Sequence, residues 1–522
     1  MALAVRALGR GEGGPVDPRA VLNMVERVMR EGDVRRGAVG ADLGPDDARG
    51  LLHAWLEAID LRLGERELLA YLQHEDFSHA DLFRRARRAH ERKLTVAVDG
   101  VLSATTTGGD LGAAAAGLFD ACVAAIPYAP AAAFLGREKG KLMQREGDPL
   151  RVALVADAVG GMHGVTHTLD EIRERGVPGF EVEVVGTDPN VDRRLSAVAE
   201  VDIPFYAGLK VGVPPLPAIV EALAEGRYDL VHLCSPGPAG VAAAVIARVM
   251  EVPVLGSYHT ELAAYAGLRA ADPKLEFIAR AAIAAFYGQC QVVLSPSPAS
   301  DDVLRGMGID GERIGRWDRG VDVGRFSPAR HDATAMPGGL SVLYAGRLTR
   351  EKGADLLADA FLAARERDPR LHLCLAGGGP EEDALRERLG EHASFLGWLE
   401  GDALADAYAS ADLFLFASRT DTFGQVLLEA QASGLPVVAV AEGGPCSIVE
   451  DGVTGRLCPP DAHALADAVV ELAAAPLQRE RLAQNALETV RERTWERALG
   501  RLSEGYLRAL GDQQAAGARR AA

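Results

Sequence analysis

Short apolar runs ending in glycine or small polar residues recur through most of this chain. RVALVADAVGG starts at Arg151, FEVEVVG at Phe180, YDLVHLCSPG at Tyr228, VPVLGSYH at Val252 and CQVVLSPS at Cys290. Between them lie segments with apolar residues at helical spacing, such as PAIVEALAEGR (217–227) and AGVAAAVIARVMEV (239–252). Unbroken apolar runs predict strands buried on both faces, and their alternation with helices predicts a parallel, doubly wound sheet. The chain turns polar in SPARHDATAMPGG (327–339), and a second series follows: LSVLYAGRL, LHLCLAGGG, SFLGWL, DLFLFAS and PVVAVAEGG.

Residues 1–148 have a different texture. DPRAVLNMVERVMREG, GPDDARGLLHAWLEAIDL and HADLFRRARRAHERKL carry apolar residues at helical spacing, and an Ala-rich stretch runs through 111–136. The predicted organisation is a helical extension (1–148), a first Rossmann-like domain (149–328), a second (338–495), a closing helix (496–511) and a disordered tail (512–522). The fold class is therefore α/β, with two doubly wound domains facing a cleft and an N-terminal helical extension. Ligands of such sheets bind beyond the carboxyl ends of the strands, so two facing domains place a cleft there.

Composition narrows the class. At 522 residues the chain is too long for one core. A formal charge of −18 argues against general nucleic-acid binding. Six scattered cysteines without a C-x-x-C pair read as reduced thiols rather than a zinc site. No signal-peptide pattern opens the chain, and no run reaches the roughly 18 apolar residues of a membrane span. The expected location is cytoplasmic.

The candidate chemistry sits in loops after strands. In SRTDTFGQVLLEA (418–430), Asp421 lies on a loop and Glu429 about two turns into the following helix. Separated carboxylates suit a polyhydroxylated ligand, since each accepts several hydroxyl donors; on spacing alone, the favoured reading is structural, with Glu429 a cap or ion-pair partner and Asp421 solvated. GRLTREKG (346–353) places Arg347 and Lys352 after another strand, a combination suited to holding a diphosphate. The glycine-rich DAVGGMHGVTHTL (157–169) offers Gly161 and Gly164 for close backbone approach, and GGPCSIVEDGVTGRL (443–457) adds a Gly-Gly turn. His259 ends the strand of SYHTE, with Glu261 two residues on; Arg319 and Asp322 in RGVD lie near the domain joint, where Asp322 also reads as a cap.

GRLTREKG, TDTFGQVLLEAQASGLPVVA and GGPCSIVEDGVTGRL resemble the retaining nucleotide-sugar glycosyltransferases of GT-B architecture, over about residues 149–510. GSYHTELAAYAG and RWDRGVDVGRFSP most resemble α-mannosyltransferases and sulfoquinovosyl-diacylglycerol synthase relatives. The resemblance implies that Arg347 and Lys352 hold the donor diphosphate, that Glu429 binds the donor ribose, and that Asp421 with the backbone of Phe423 and Gly424 binds the donor sugar. It places His259 near that sugar and Gly161 and Gly164 near phosphate or acceptor. The family usually has Glu where this chain has Asp421, which shortens the reach by roughly 1.5 Å.

The implied reaction transfers a hexose, with mannose the leading candidate, from a nucleotide-diphosphate sugar to a lipid or glycan hydroxyl with retention. The resemblance implies a same-face displacement in which the leaving diphosphate oxygen helps deprotonate the acceptor hydroxyl. No cofactor is expected beyond the donor substrate, and no metal, because no suitably placed Asp-x-Asp is present. Arg84, Arg85, Arg87, Arg88, Arg92 and Lys93 in DLFRRARRAHERK form a basic stretch, read either as a peripheral contact with an anionic membrane or as a helix face packed on acidic domains. A nucleotide-sugar epimerase and a non-catalytic sugar-nucleotide-binding subunit are the alternatives.

Overall fold

The computed structural model describes most of residues 56–511; residues 1–55 and 512–522 and short internal runs, the longest being 129–148, 203–209 and 260–272, lie outside the described residues. Two of the predicted helical segments, in 17–32 and most of 44–61, therefore fall outside them, as does the predicted tail.

The first sheet has seven parallel strands in the order β3-β2-β1-β6-β7-β8-β9. They are β1 (Leu150–Val155), β2 (Phe180–Gly186), β3 (Arg193–Arg194), β6 (Leu230–Leu233), β7 (Val254–Ser257), β8 (Val292–Ser295) and β9 (Ile314–Arg316). An antiparallel ribbon of β4 (Ala199–Asp202) and β5 (Lys210–Val213) stands apart from the sheet. The central strands are buried along their whole length, which is why they read as unbroken apolar runs.

The second sheet has six parallel strands in the order β12-β11-β10-β13-β14-β15: β10 (Leu340–Ala345), β11 (Leu371–Ala376), β12 (Ala393–Gly397), β13 (Leu413–Phe416), β14 (Val437–Val440) and β15 (Gly455–Cys458). One face packs on Leu357, Phe361, Leu465 and Leu472, the other on Tyr408, Leu427 and Leu428. In both sheets the order reverses beside the first strand, β1 or β10, and this switch point opens the crevice that holds the site.

The Trp495–Leu510 helix does not stay with the second sheet. Its Leu499, Leu502 and Tyr506 pack against Leu154, Leu230 and Leu294 of the first sheet. The outward and return passes of the chain touch where Val321 N–H donates to the Arg493 carbonyl at 2.9 Å. Gly320 is required here, since a Cβ on it would lie 2.2 Å from the Trp495 nitrogen.

Before the first sheet, the helices His79–Thr107 and Leu111–Ala124 form a hairpin. Arg87 reaches Glu221 at 2.8 Å, and buried His90 is held on both ring nitrogens, Nδ1 at 2.6 Å from the Ala121 carbonyl and Nε2 at 3.1 Å from the Leu216 N–H. The extension is therefore docked on the first α/β unit. Among the described residues no helix is long and apolar enough to cross a membrane.

Candidate active site

The loop after β13 turns on Asp421. Its Oδ1 accepts from the backbone N–H of Gly424 at 3.0 Å and of Phe423 at 3.3 Å, and its Oδ2 lies 2.6 Å from Lys352 Nζ. Gly424 has φ +93° and starts the Gln425–Ala432 helix, a conformation that disfavours a side chain. Gly443 and Gly444 press onto this loop: a Cβ on Gly444 would sit 2.4 Å from the Phe423 backbone, and Gly444 N–H donates to the Asp421 carbonyl at 2.8 Å. The Gly-Gly turn thus supports the acidic loop directly.

Lys352 comes from the loop after β10, and β10 and β13 are neighbours. Gly353, at φ +76°, lets this loop close on the Ala417 carbonyl, and Thr420 Oγ1 donates to the Glu351 carbonyl at 2.7 Å. Arg347 lies 3.7 Å from buried Glu351. Burial pushes the Asp421 carboxyl up, but Lys352, the Phe423 amide and Arg319 outweigh it and hold the group below the usual carboxylate range.

His259, at the end of the segment following β7, faces this loop from the first unit. Thr422 Oγ1 donates to the His259 carbonyl at 2.8 Å, and Arg319 Nη2 lies 3.2 Å from His259 Nδ1. An arginine has no lone pair to offer, so Nδ1 accepts and the ring proton sits on Nε2. The ring packs edge-on against Trp317 at 5.4 Å. Burial, then the Arg319 charge, push the His259 pKa well down, so the ring is neutral at physiological pH. Arg319 is itself buried, and burial lowers its pKa to about 10 against the opposing pull of Asp421.

Glu429 lies deeper, buried, with Tyr408 O–H donating to its Oε2 at 3.1 Å. Burial raises its pKa to about 7 despite the hydrogen bonds from Tyr408 and Gln425.

The structure therefore gathers Arg347, Lys352, Asp421, Phe423, Gly424 and His259 around one crevice, with Glu429 on the helix behind the acidic loop. Gly164 begins the Gly164–Arg175 helix, while Gly161 and Glu261 lie outside the described residues. Asp157, at the head of the glycine-rich segment, instead accepts from Ser235 Oγ and Ala239 N–H at 2.7 Å each, tying β1 to the Pro238–Val249 helix. Asp322 is a local cap for the amides of Gly324 and Arg325. Sequence reading left Arg319 without a role and passed over Thr422 and Trp317; the Arg319–His259 contact spans 60 positions and left no periodic trace. The basic stretch is met largely within the chain. Arg84 pairs with Asp81, Arg92 with Asp60, Lys93 with Asp120 and Arg87 with Glu91 and Glu221, while Arg85 donates to the carbonyls of Ile59 and Asp60. Of these, Arg87 reaches the first α/β unit, while Arg84 and Arg92 stay exposed. Among the described residues no three His, Cys, Asp or Glu side chains converge as a metal ligand set.

This architecture has known counterparts. Residues 160–325 match the family model Glycosyltransferase Family 4, and residues 339–475 match Glycosyl transferases group 1. The chain is 33% identical over 379 residues to a GDP-mannose-dependent alpha-mannosyltransferase of Corynebacterium glutamicum, covering 69% of this chain and 89% of the relative. It is 33% identical to the enzyme of the same description from Mycobacterium tuberculosis, covering 66% and 93%. Among solved structures it is similar to Anabaena HepE in complex with UDP and glucose (TM-score 0.55, 20% identity, 69% of this chain and 99% of that one). The sucrose-phosphate synthase of Thermosynechococcus elongatus has the same TM-score at 23% identity, covering 68% and 98%. These likenesses fix the fold as GT-B, and the identity and coverage of the mannosyltransferases fix the family: the chain belongs to the family 4, group 1 glycosyltransferases and is a glycosyltransferase.

Proposed function

We propose that this enzyme moves a mannosyl group from GDP-mannose to a hydroxyl of a lipid or glycan, with retention at the anomeric carbon. The observation that carries the reading is the cluster of Lys352, Arg319 and Asp421 at the carboxyl ends of the two sheets, with neutral His259 against it. A diphosphate entering this crevice competes with Asp421 for Lys352, and Arg347 on the same loop supplies a second, forked cation. Together they stabilise the charge that develops on the departing GDP, so the protein contributes chiefly position and electrostatics. The donor, a nucleotide-diphosphate sugar, is then the only small molecule required besides the acceptor, and these cations take the place of a metal.

His259 Nε2–H is a donor suited to a sugar hydroxyl, and its depressed pKa keeps the ring from adding a further positive charge beside Arg319. Asp421 is short enough to sit on its own loop amides, so it orients that loop as well as facing the donor. Glu429, held by Tyr408, accepts the ribose hydroxyls. Support for mannose and guanine comes from the mannosyltransferase relatives; support for a retaining, same-face displacement comes from the resemblance of the motifs.

The test is a thermal-shift panel of GDP-mannose, UDP-glucose, UDP-galactose, UDP-N-acetylglucosamine, GDP and UDP on the wild type and Lys352→Ala. A ligand bound only by the folded state raises the melting temperature. GDP-mannose should stabilise the wild type and lose its effect in Lys352→Ala. Stabilisation by a UDP-sugar alone would replace the donor assignment, and no stabilisation by any of the six would overturn the diphosphate site.

A further inference from the structure

Strand β6 reads LVHL, and its His232 is fully buried in a strand that is otherwise apolar. An imidazole in that place is costly unless its ring nitrogens find partners. Both do. Nδ1 lies 2.9 Å from the Tyr506 hydroxyl on the returning Trp495–Leu510 helix, and Nε2 meets the Ser257 hydroxyl at the end of β7. Each hydroxyl can give or take a hydrogen bond, so the neutral ring is held at both nitrogens in either tautomer. Burial lowers its pKa to about 3, which keeps it neutral.

Trp317, the residue after β9, packs edge-on against His232, with ring centroids 5.8 Å apart at 66°. It also meets His259 edge-on, at 5.4 Å and 70°. The Trp317 indole is buried, and its N–H has no hydrogen-bond partner among the described residues. A buried ring without a polar anchor takes its orientation from packing alone. Three rings therefore form one stack, from His232 in the core, through Trp317, to His259, which is half-buried at the crevice. His259 has two further ties: Thr422 holds its carbonyl and Arg319 holds Nδ1. One contact at Nδ1 leaves the ring free to tilt about it. The tilt decides where Nε2–H points, and a hydrogen bond weakens steeply as its angle closes.

We infer that His232 is a positioning residue for the donor sugar: it seats Trp317, Trp317 sets the tilt of the His259 ring, and the sugar's share of donor binding depends on a side chain that the donor never touches. The sugar role rests on the place proposed above for His259; the ring-to-ring link does not. Because Tyr506 holds His232, the helix returned from the second lobe shares in this positioning.

The test uses the full chain with His232→Leu and Tyr506→Phe, and with Leu223→Ala as a core variant in a separate cluster. Two readouts are taken. One is the His259 ring resonance in histidine-labelled protein, assigned with His259→Gln. The other is the ratio of the dissociation constants of GDP-mannose and GDP, by calorimetry. In His232→Leu the resonance should move, and the ratio should shift roughly fivefold toward GDP, the scale of one hydrogen bond, with GDP affinity kept. Tyr506→Phe deletes one oxygen and should move both readouts the same way by less; it carries the test if His232→Leu fails to fold. Leu223→Ala should lower the melting temperature and move neither. An unmoved His259 resonance, or equal loss of GDP and GDP-mannose, would overturn the positioning role and leave His232 as packing. A moved resonance with an unchanged ratio would uphold the ring link and overturn its part in sugar binding. If neither nucleotide binds the wild type, the function proposed above falls, and the resonance alone upholds or overturns the link.

Discussion

Lys352 Nζ and Asp421 Oδ2 lie 2.6 Å apart, although they stand on loops after different strands and 69 positions apart in the chain. The pair holds the crevice in register before any donor arrives. It also means that the cation expected to receive a diphosphate is already shielded by a carboxylate, so donor binding is an exchange of partners.

Lys352→Met should therefore damage both stability and turnover. It strands Asp421 in a half-buried shell, and with about a fifth of each side chain still exposed the loss should be about 2 kcal/mol at pH 7. Asp421's folded pKa is depressed, so its contribution is complete above the unfolded carboxyl value and disappears as pH falls through the folded one. Urea unfolding of wild type and variant should converge in strong acid; an equal gap at all pH values would contradict the pairing. Turnover should fall by roughly a hundredfold or more if leaving-group charge is stabilised here.

Glu429→Gln should stabilise the protein and weaken donor binding. The folded pKa of about 7 lies above the unfolded one, so the carboxyl imposes no penalty in acid, a growing one between the two values and a constant one above pH 7. The amide still accepts from Tyr408 O–H. Thermal melts should show the variant more stable at pH 8 and equal to wild type at pH 4, while nucleotide-sugar affinity drops at both.

Arg319→Met should raise the pKa of His259. The arginine charge is the second cause of its depression after burial, so the rise is partial. NMR titration of the His259 ring would see it; an unmoved resonance would mean that burial alone sets the value.

His90 predicts acid-sensitive docking of the hairpin. Nδ1–H donates to Ala121 and Nε2 accepts from Leu216, so the neutral ring is fully used and a second proton would face an N–H. Burial lowers its pKa, opposed by the hydrogen bond to Ala121 and then by Glu91. The unfolded ring takes up a proton first, so this stability is complete above the ordinary histidine value and declines as pH falls below it. Protection of the hairpin amides, taken relative to the intrinsic exchange rate at each pH, should fall between pH 7 and 5 in wild type and change little in His90→Gln.

The parallel strands were legible because burial on both faces removes the polar alternation from their sequence; LVHL, VVLS and LFLF announce themselves. The ribbon was not: AEVD and KVGV alternate, and Glu200, Asp202 and Lys210 give them the look of a loop. Arg347, Lys352 and Asp421 were legible as neighbours because each follows a strand, and all such ends share one rim. Their pairing was not, nor was the Arg319–His259 contact, since both depend on separations that only the closed crevice resolves. The Trp495–Leu510 helix was visible as amphipathic, but periodicity does not say which sheet the apolar side meets.

The two passes between the lobes run side by side, joined at Val321 and Arg493 and pinched at Gly320 against Trp495. Fastened in this way, the two cords form one shared crossing between the lobes rather than two separate links. The same weave leaves the first lobe complete only when chain from beyond the second is returned to it. A single cut near residue 330 would separate Leu294 and Trp317 from the helix that covers them, and neither fragment would be a finished body.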